Sequence, residues 1–283
     1  MRASRCPVCG GARVAPNRYP ATPGLLRCPD CGLVFRERPV APSAPPGPPA
    51  ADPERLNAGR HDLFAVGLRL LAPHRRLGRL LDVGAGPGGF VKLAAEAGWR
   101  PIGIEPDAAV LRLAAELGVP GRVRAVAAAL PCAAASLDAV TFWDTLDIVA
   151  DPVGALREAL SVLRPGGIVL ARVRNGPVHL LMRRLPFVPT SASVVQTTLF
   201  SRRTLGRSLE TAGFRAVRVR MSPLTARDPY RSETDPAFVL HMGRRAWSAA
   251  ASAAAAASGQ RLQIGPSLLA VARRPERDAE SAR

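Results

Sequence analysis

The chain has 283 residues, of which 47% are hydrophobic and 22% charged, enough for one full α/β core and a small appendage but not for two large domains. Its formal net charge of +17 would concentrate anionic partners at low salt without naming one. Lys92 is the only lysine, and the arginines are scattered through an Ala- and Pro-rich background, which points to compositional bias more than to a built basic patch. No apolar run approaches the ~20 residues that cross a bilayer, and no signal-like segment precedes the first cysteine. A soluble, cytoplasmic protein is expected.

Near the start, Cys6-Pro7-Val8-Cys9 and Cys28-Pro29-Asp30-Cys31 are separated by eighteen residues, inside the spacing of a four-thiolate zinc site. Gly10 and Gly32 follow the two pairs and suit tight knuckles whose amides face the sulfurs. The reading is a structural zinc ribbon over residues 1–38 with Cys6, Cys9, Cys28 and Cys31 as ligands. A pair of disulfides is the alternative, disfavoured by a reducing compartment. So short a module buries too little apolar area to fold without its metal. Seven arginines stand there against Asp30 and Glu37, with Tyr19 and Phe35 as stacking candidates, which keeps nucleic acid among the candidate partners. The fifth cysteine, Cys132, reads as an ordinary small apolar residue.

Residues 39–60 are proline-rich and read as a semi-extended linker. The apolar run Leu80-Leu81 then stops in Asp82 and a loop with Gly84, Ala85, Gly86 and Gly88. A buried parallel strand, a tight turn and a helix over about 90–97 are expected, with helix amides facing a crevice and no Cβ to obstruct a ligand. A second strand over 101–104 delivers Glu105 to its carboxyl end, seventeen positions after Gly88, where a carboxylate suits a ribose diol. Taken alone the loop fits an adenosine site, a nicotinamide site or a turn that binds nothing.

Downstream, residues 136–144 read as a strand, Asp151-Pro152 opens a helix over 153–163, and Arg164-Pro165-Gly166-Gly167 breaks it before a strand over 168–173. Ser201 is a candidate cap for the helix that follows Leu199-Phe200, and 214–221 and 267–272 supply two late strands. Ala246 to Ala257 favours a surface helix.

Taken in order, Leu-Asp-Val-Gly-Ala-Gly-Pro-Gly-Gly-Phe, Gly-Ile-Glu-Pro-Asp, Phe-Trp-Asp-Thr-Leu-Asp and Leu-Arg-Pro-Gly-Gly resemble the signatures of class I S-adenosylmethionine-dependent methyltransferases, over about residues 77–274, in a branch with an N-terminal four-cysteine module. The resemblance implies a Rossmann-like, doubly wound, mostly parallel seven-stranded sheet. It implies that Gly84, Ala85, Gly86 and Gly88 cradle the methionine part of S-adenosylmethionine and that Asp82 lies near its ammonium. Glu105 would hold the ribose hydroxyls, Pro106 would be a further cofactor contact, Leu130 would border the adenine, and Asp144 would lie beside the methionine part and the acceptor, with Trp143 as packing. Helix capping is the plain alternative for Asp144.

Segments 175–198 and 222–266 would cover the acceptor, with Leu180 either lining a pocket or packing a lid. Relatives with a similar front end carry histidines where this chain has Ile148 and Gln196, and an acid near Ala127 to Ala129. No general base is therefore assigned; His179 lies on the acceptor side, while His61, His74 and His241 read as surface or packing residues. The leading function is methyl transfer to a small molecule, such as a sugar-linked or secondary-metabolite intermediate. Alternatives are an RNA methyltransferase that uses the ribbon and a non-catalytic adaptor. Residues 275–283 read as a disordered tail.

Overall fold

The computed structural model describes residues 5–17, 24–36, 60–182, 196–222, 247, 249–251, 253–259 and 262–276. The linker reading falls mostly outside these residues, as do Tyr19, His241, most of the tail, and much of both acceptor-side segments.

Seven strands make the main sheet: β4 (Arg79–Val83), β5 (Arg100–Ile104), β6 (Arg122–Val123), β7 (Leu137–Trp143), β8 (Leu163–Arg174), β10 (Arg215–Met221) and β11 (Ser267–Arg273), in the order β10-β11-β8-β7-β4-β5-β6. β6, β5, β4, β7 and β8 run parallel, and β11 lies antiparallel between β8 and β10. This is the Rossmann-like α/β architecture the motifs imply.

Alternation along the strands assigns successive residues to two cores. Leu81, Val83, Val140, Phe142, Val169 and Ala171 join one cluster with α4 (Pro152–Val162) and α6 (Arg202–Ala212). Leu80, Ala139, Ile168 and Leu170 join the other with α1 (His61–Leu71) and α2 (Gly89–Glu96). Trp143 belongs to the second cluster, its ring 5.1 Å from those of both Phe64 and Phe90. A Cβ on Gly67 would come within 2.6 Å of that indole, so α1 seats on Trp143 through a glycine. Packing is the role the structure gives Trp143.

Helix starts follow their capping residues. Asp151 accepts from Gly154 N at 2.8 Å with Pro152 next in line, and Ser201 forms a reciprocal box with Thr204. Asp107 caps α3 (Ala108–Glu116). One boundary differs from expectation: α4 ends at Val162, and β8 begins at once with Leu163 paired to Leu137. Pro165 and Gly166 do not form a separate reversal. They sit inside the strand at a register shift, with Gly166 at φ +71°, because a bulge absorbs the missing proline donor. The Ala-rich helix near 247–257 is not wholly a surface element, since Ala251 and Ala255 are fully buried while Trp247 is exposed.

The N-terminal module forms a second sheet, β1 (Ala15–Pro16), β2 (Leu25–Arg27) and β3 (Val34–Arg36), whose fourth strand is β9 (Thr198–Leu199), distant in sequence. Val34 pairs with Leu199 and Phe35 with Thr198. Leu25 and Val34 pack with Leu199 and with Leu180 of α5 (Gly176–Met182), so Leu180 is packing. Phe35 is 3% exposed and part of the main core, which removes it as a stacking platform. Among the described residues no helix is long and apolar enough to cross a membrane.

Candidate functional site

The loop after β4 is tied to the neighbouring strand end: Gly84 N and Ala85 N both donate to Ile104 O at 2.9 Å. Gly84, Gly86 and Gly88 all have positive φ, +73°, +55° and +81°. They need to be glycine for different reasons, which corrects the expectation that each keeps a Cβ out of a ligand's way. A Cβ on Gly84 would lie 2.4 Å from Thr145 Oγ1, and one on Gly88 would lie 2.5 Å from Val119 Cγ1. Those two are packing requirements. At Gly86 a Cβ would meet nothing within 4 Å, so only this residue opens onto free space.

Glu105 lies against the same turn. Its Oε2 accepts from Gly86 N at 3.1 Å and its Oε1 from Asp107 N at 3.2 Å. Burial pushes its carboxyl above the usual range, against these two amide bonds. The glycine turn and the carboxylate, nineteen positions apart in sequence, therefore meet at the carboxyl ends of β4 and β5. Pro106 is exposed, its carbonyl held by Arg124 Nε at 3.1 Å. Leu130 is half-buried, with its N–H on Glu158 Oε2 at 3.3 Å.

Asp82 is 2% exposed and accepts from Thr141 Oγ1 at 2.7 Å. Desolvation raises its pKa to about 7, opposed by Thr141 and by the charge of Arg60. Asp144, just past β7, has φ +57°. It caps no helix: its carboxylate accepts from Arg172 Nη1, and Arg60 Nη2 reaches its Oδ2 at 2.7 Å. Arg172 also donates to Ser222 Oγ at 3.2 Å.

Further along the same loop, Asp147 is 1% exposed, with Oδ1 unpartnered and Oδ2 on Arg174 N at 3.3 Å. Its carbonyl receives both Thr197 N and Thr198 N. Burial raises the Asp147 carboxyl to about 6. Ile148 is exposed, and Gln196 is buried with its amide oxygen turned to Arg174 Nε and Nη1 at 3.2 and 3.0 Å. His179 sits half-buried on α5.

Arg60 and Thr141 carry no sequence signal of their own beyond their neighbours, whereas Asp147 closes the Phe-Trp-Asp-Thr-Leu-Asp phrase. Arg172 did have one, as a charge inside an apolar strand. So did Gly103 within β5, where a Cβ would lie 2.9 Å from both Ala85 Cβ and Val91 Cγ2.

The four N-terminal cysteines converge so that all their sulfurs lie within 4.8 Å of one another. Cys6 and Cys31 Sγ are 3.5 Å apart, as are Cys9 and Cys28 Sγ, and all are free thiols. The two knuckles repeat one hydrogen-bond pattern: Gly10 N to Cys6 O and Gly32 N to Cys28 O, then Cys6 N to Gly11 O and Cys28 N to Leu33 O. Burial pushes the Cys6 and Cys31 thiols up, Cys31 to about 11. Four thiol sulfurs at this spacing match the donor set of a closed tetrahedral zinc site.

A family model described as a methyltransferase domain matches residues 56–219. The chain belongs to this family. It is similar to an uncharacterized methyltransferase of Mycobacterium bovis, 40% identical over 111 residues that cover 37% of this chain and 44% of the relative. The chain thus spans less than half the length of the curated relatives it matches. Solved methyltransferase structures show the same fold. One from Archaeoglobus fulgidus has a TM-score of 0.52 at 19% identity, covering 78% of this chain and 96% of that one. The Haemonchus contortus phosphoethanolamine N-methyltransferase 2 in complex with S-adenosyl-L-methionine has a TM-score of 0.54 at 19% identity, covering 76% and 53%.

Proposed function

We propose that this methyltransferase-family protein uses S-adenosylmethionine to methylate a small molecule and holds a structural zinc ion in its four-cysteine module. The observation that carries the reading is the meeting of Gly86 N and Glu105 Oε2 at 3.1 Å beside free space, at adjacent carboxyl ends of parallel strands, where open α/β sheets bind ligands. The cofactor would supply a methyl group already activated by its sulfonium.

In this reading Gly84, Ala85, Gly86 and Gly88 border the methionine part. Glu105 exchanges its amide partners for the ribose diol. Asp82, buried with one hydroxyl donor, faces the ammonium, while Pro106 and Leu130 flank the adenine. Asp144 marks the boundary with the acceptor. The chain's contribution is alignment and exclusion of water, and no side chain is assigned as a base.

A small acceptor is supported by the character of the acceptor side. Asn175, Gln196, Thr197 and Thr198 are buried there, and β3 of the ribbon occupies the edge of β9 by strand pairing. With Phe35 inside the core, the described ribbon residues offer no aromatic surface to nucleic acid.

Titration calorimetry with S-adenosylmethionine tests the site. Binding at one equivalent is expected, with Glu105→Ala weakening it about 10- to 100-fold through loss of charge-assisted hydrogen bonds. Unchanged affinity in Glu105→Ala would remove the ribose assignment.

A further inference from the structure

β9 (Thr198–Leu199) is only two residues long, shorter than strands that hold their own place in a sheet. Its place is set from two sides. On one side lies the loop after β7: Asp147 O accepts from Thr197 N at 2.9 Å and from Thr198 N at 3.0 Å, and Ile148 O accepts from Thr197 Oγ1 at 3.0 Å. On the other lies β3, where Phe35 pairs with Thr198, Val34 pairs with Leu199, and Arg36 N donates to Thr197 O at 2.8 Å. The four-cysteine module therefore reaches the backbone at Asp147 through one intervening segment.

Apolar packing follows the same route. Leu199 is buried with Leu25 and Val34 of the module and with Leu180 of α5, and a Cβ on Gly176 would lie 2.9 Å from Leu199, so α5 packs closely on β9. Cys28, Leu33 and Phe35 share one buried cluster with Leu146, next to Asp147, and with Phe200, next to β9. The glycine loop is held differently. Gly84 N and Ala85 N donate to Ile104 O inside the main sheet, and Thr145 Oγ1 touches Gly84 O at a long 3.4 Å. At the end of the route from the module stands a buried acid, Asp147, 1% exposed and with Oδ1 unpartnered. Such an oxygen is costly to bury, and the backbone bonds from Thr197 and Thr198 supply the restraint that keeps it there.

We propose that the four-cysteine module is a metal-dependent clamp on the acceptor side: ordered β3 fixes β9, β9 fixes the loop at Asp147 and Ile148, and the glycine loop stands apart from this chain of contacts. This rests on the zinc reading above, since so small a module takes its order from its metal. Loss of the metal then loosens the acceptor side and spares the cofactor side.

Hydrogen exchange of the full chain, read by mass spectrometry, tests the clamp with zinc bound, after chelation, and after zinc is returned. Peptides covering 145–149 and 196–199 should exchange about 10- to 100-fold faster after chelation and recover with zinc, while those covering β4 and β7 change less than about threefold. Arg36→Pro removes the N–H that Thr197 O accepts and leaves the cysteines intact. It should reproduce the acceleration with zinc still bound, whereas Arg36→Ala keeps the N–H and should exchange like the wild type. Unchanged exchange at 145–149 in Arg36→Pro, an acceleration shared equally by β4 and β7, or a loss of S-adenosylmethionine affinity that tracks zinc would overturn the clamp and leave the zinc reading in place. A full chain that takes up no zinc would overturn the zinc reading and the metal dependence together, with Arg36→Pro against Arg36→Ala still deciding whether β3 fixes the loop.

Discussion

In the four-cysteine module both turn glycines, Gly10 and Gly32, project toward empty space, whereas in the loop after β4 Gly84 and Gly88 are pressed against Thr145 and Val119 and Gly86 alone is free. Each knuckle of the module is built from its own neighbours, closing within six residues by backbone hydrogen bonds, and the meeting of the four cysteines follows from their spacing. The crevice is assembled from segments far apart, with Arg60, Asp82, Glu105, Thr141, Asp144 and Arg172 arriving on five different elements or their ends. The cysteine turns are local and face one another; the crevice exists only when the sheet is complete.

The largest expected effect breaks the local region. Cys28→Ser removes one of four ligands, so elemental analysis should find about one zinc per wild-type chain and little in the variant. Stability should fall by more than about 4 kcal/mol, because Leu25, Val34 and Phe35 lose their ordered partner strands. A variant that keeps its melting temperature would mean that the ladder to β9 holds the module without metal.

Next is the contrast among the loop glycines. Gly88→Ala must both hold a positive φ and displace Val119, for a cost of about 3 kcal/mol, while Gly86→Ala pays only for the backbone, about 1 kcal/mol. Urea unfolding distinguishes them. Equal costs would show that free space over Gly86 is not a property of the protein in solution.

A pH series sharpens the crevice side. Asp82 titrates at about 7 when folded against 3.8 as the reference value, so between these values the folded chain retains a proton that the unfolded chain has released. Stability from this group therefore declines as pH rises from about 4 to 7. An ammonium beside Asp82 reverses the penalty, so cofactor affinity should drop up to about tenfold per unit as pH falls below 7. The cofactor-induced rise in melting temperature should accordingly be larger at pH 8 than at pH 6. A flat profile would detach Asp82 from the ammonium.

Much of this architecture was readable in the chain because its signals are short-range. Asp82, the glycines and Glu105 were placed by a strand, a turn and a strand. Asp151-Pro152 and Ser201 announced their helices, and Cys6, Cys9, Cys28 and Cys31 announced their cluster. The start of β8 was missed because Pro165 and Gly166 read as a break, and only pairing with β7 makes a bulge of them. The separate purposes of Gly84 and Gly88 were hidden for the same reason, since Thr145 and Val119 press on them only in three dimensions. Arg60 offered no pattern at all; its meaning comes from where α1 docks. Phe35 looked available for stacking because its burial depends on β9, which begins more than 160 residues later.

The central claim is that free space over Gly86, beside Glu105, receives an adenosyl ligand. Gly86→Asp probes it most directly, because aspartate tolerates a left-handed backbone better than most residues and puts a charged side chain into that space. Calorimetry with S-adenosylmethionine, beside circular dichroism of the same samples, should show wild-type binding abolished in a variant whose spectrum is unchanged. Full affinity in a folded Gly86→Asp protein would contradict the account.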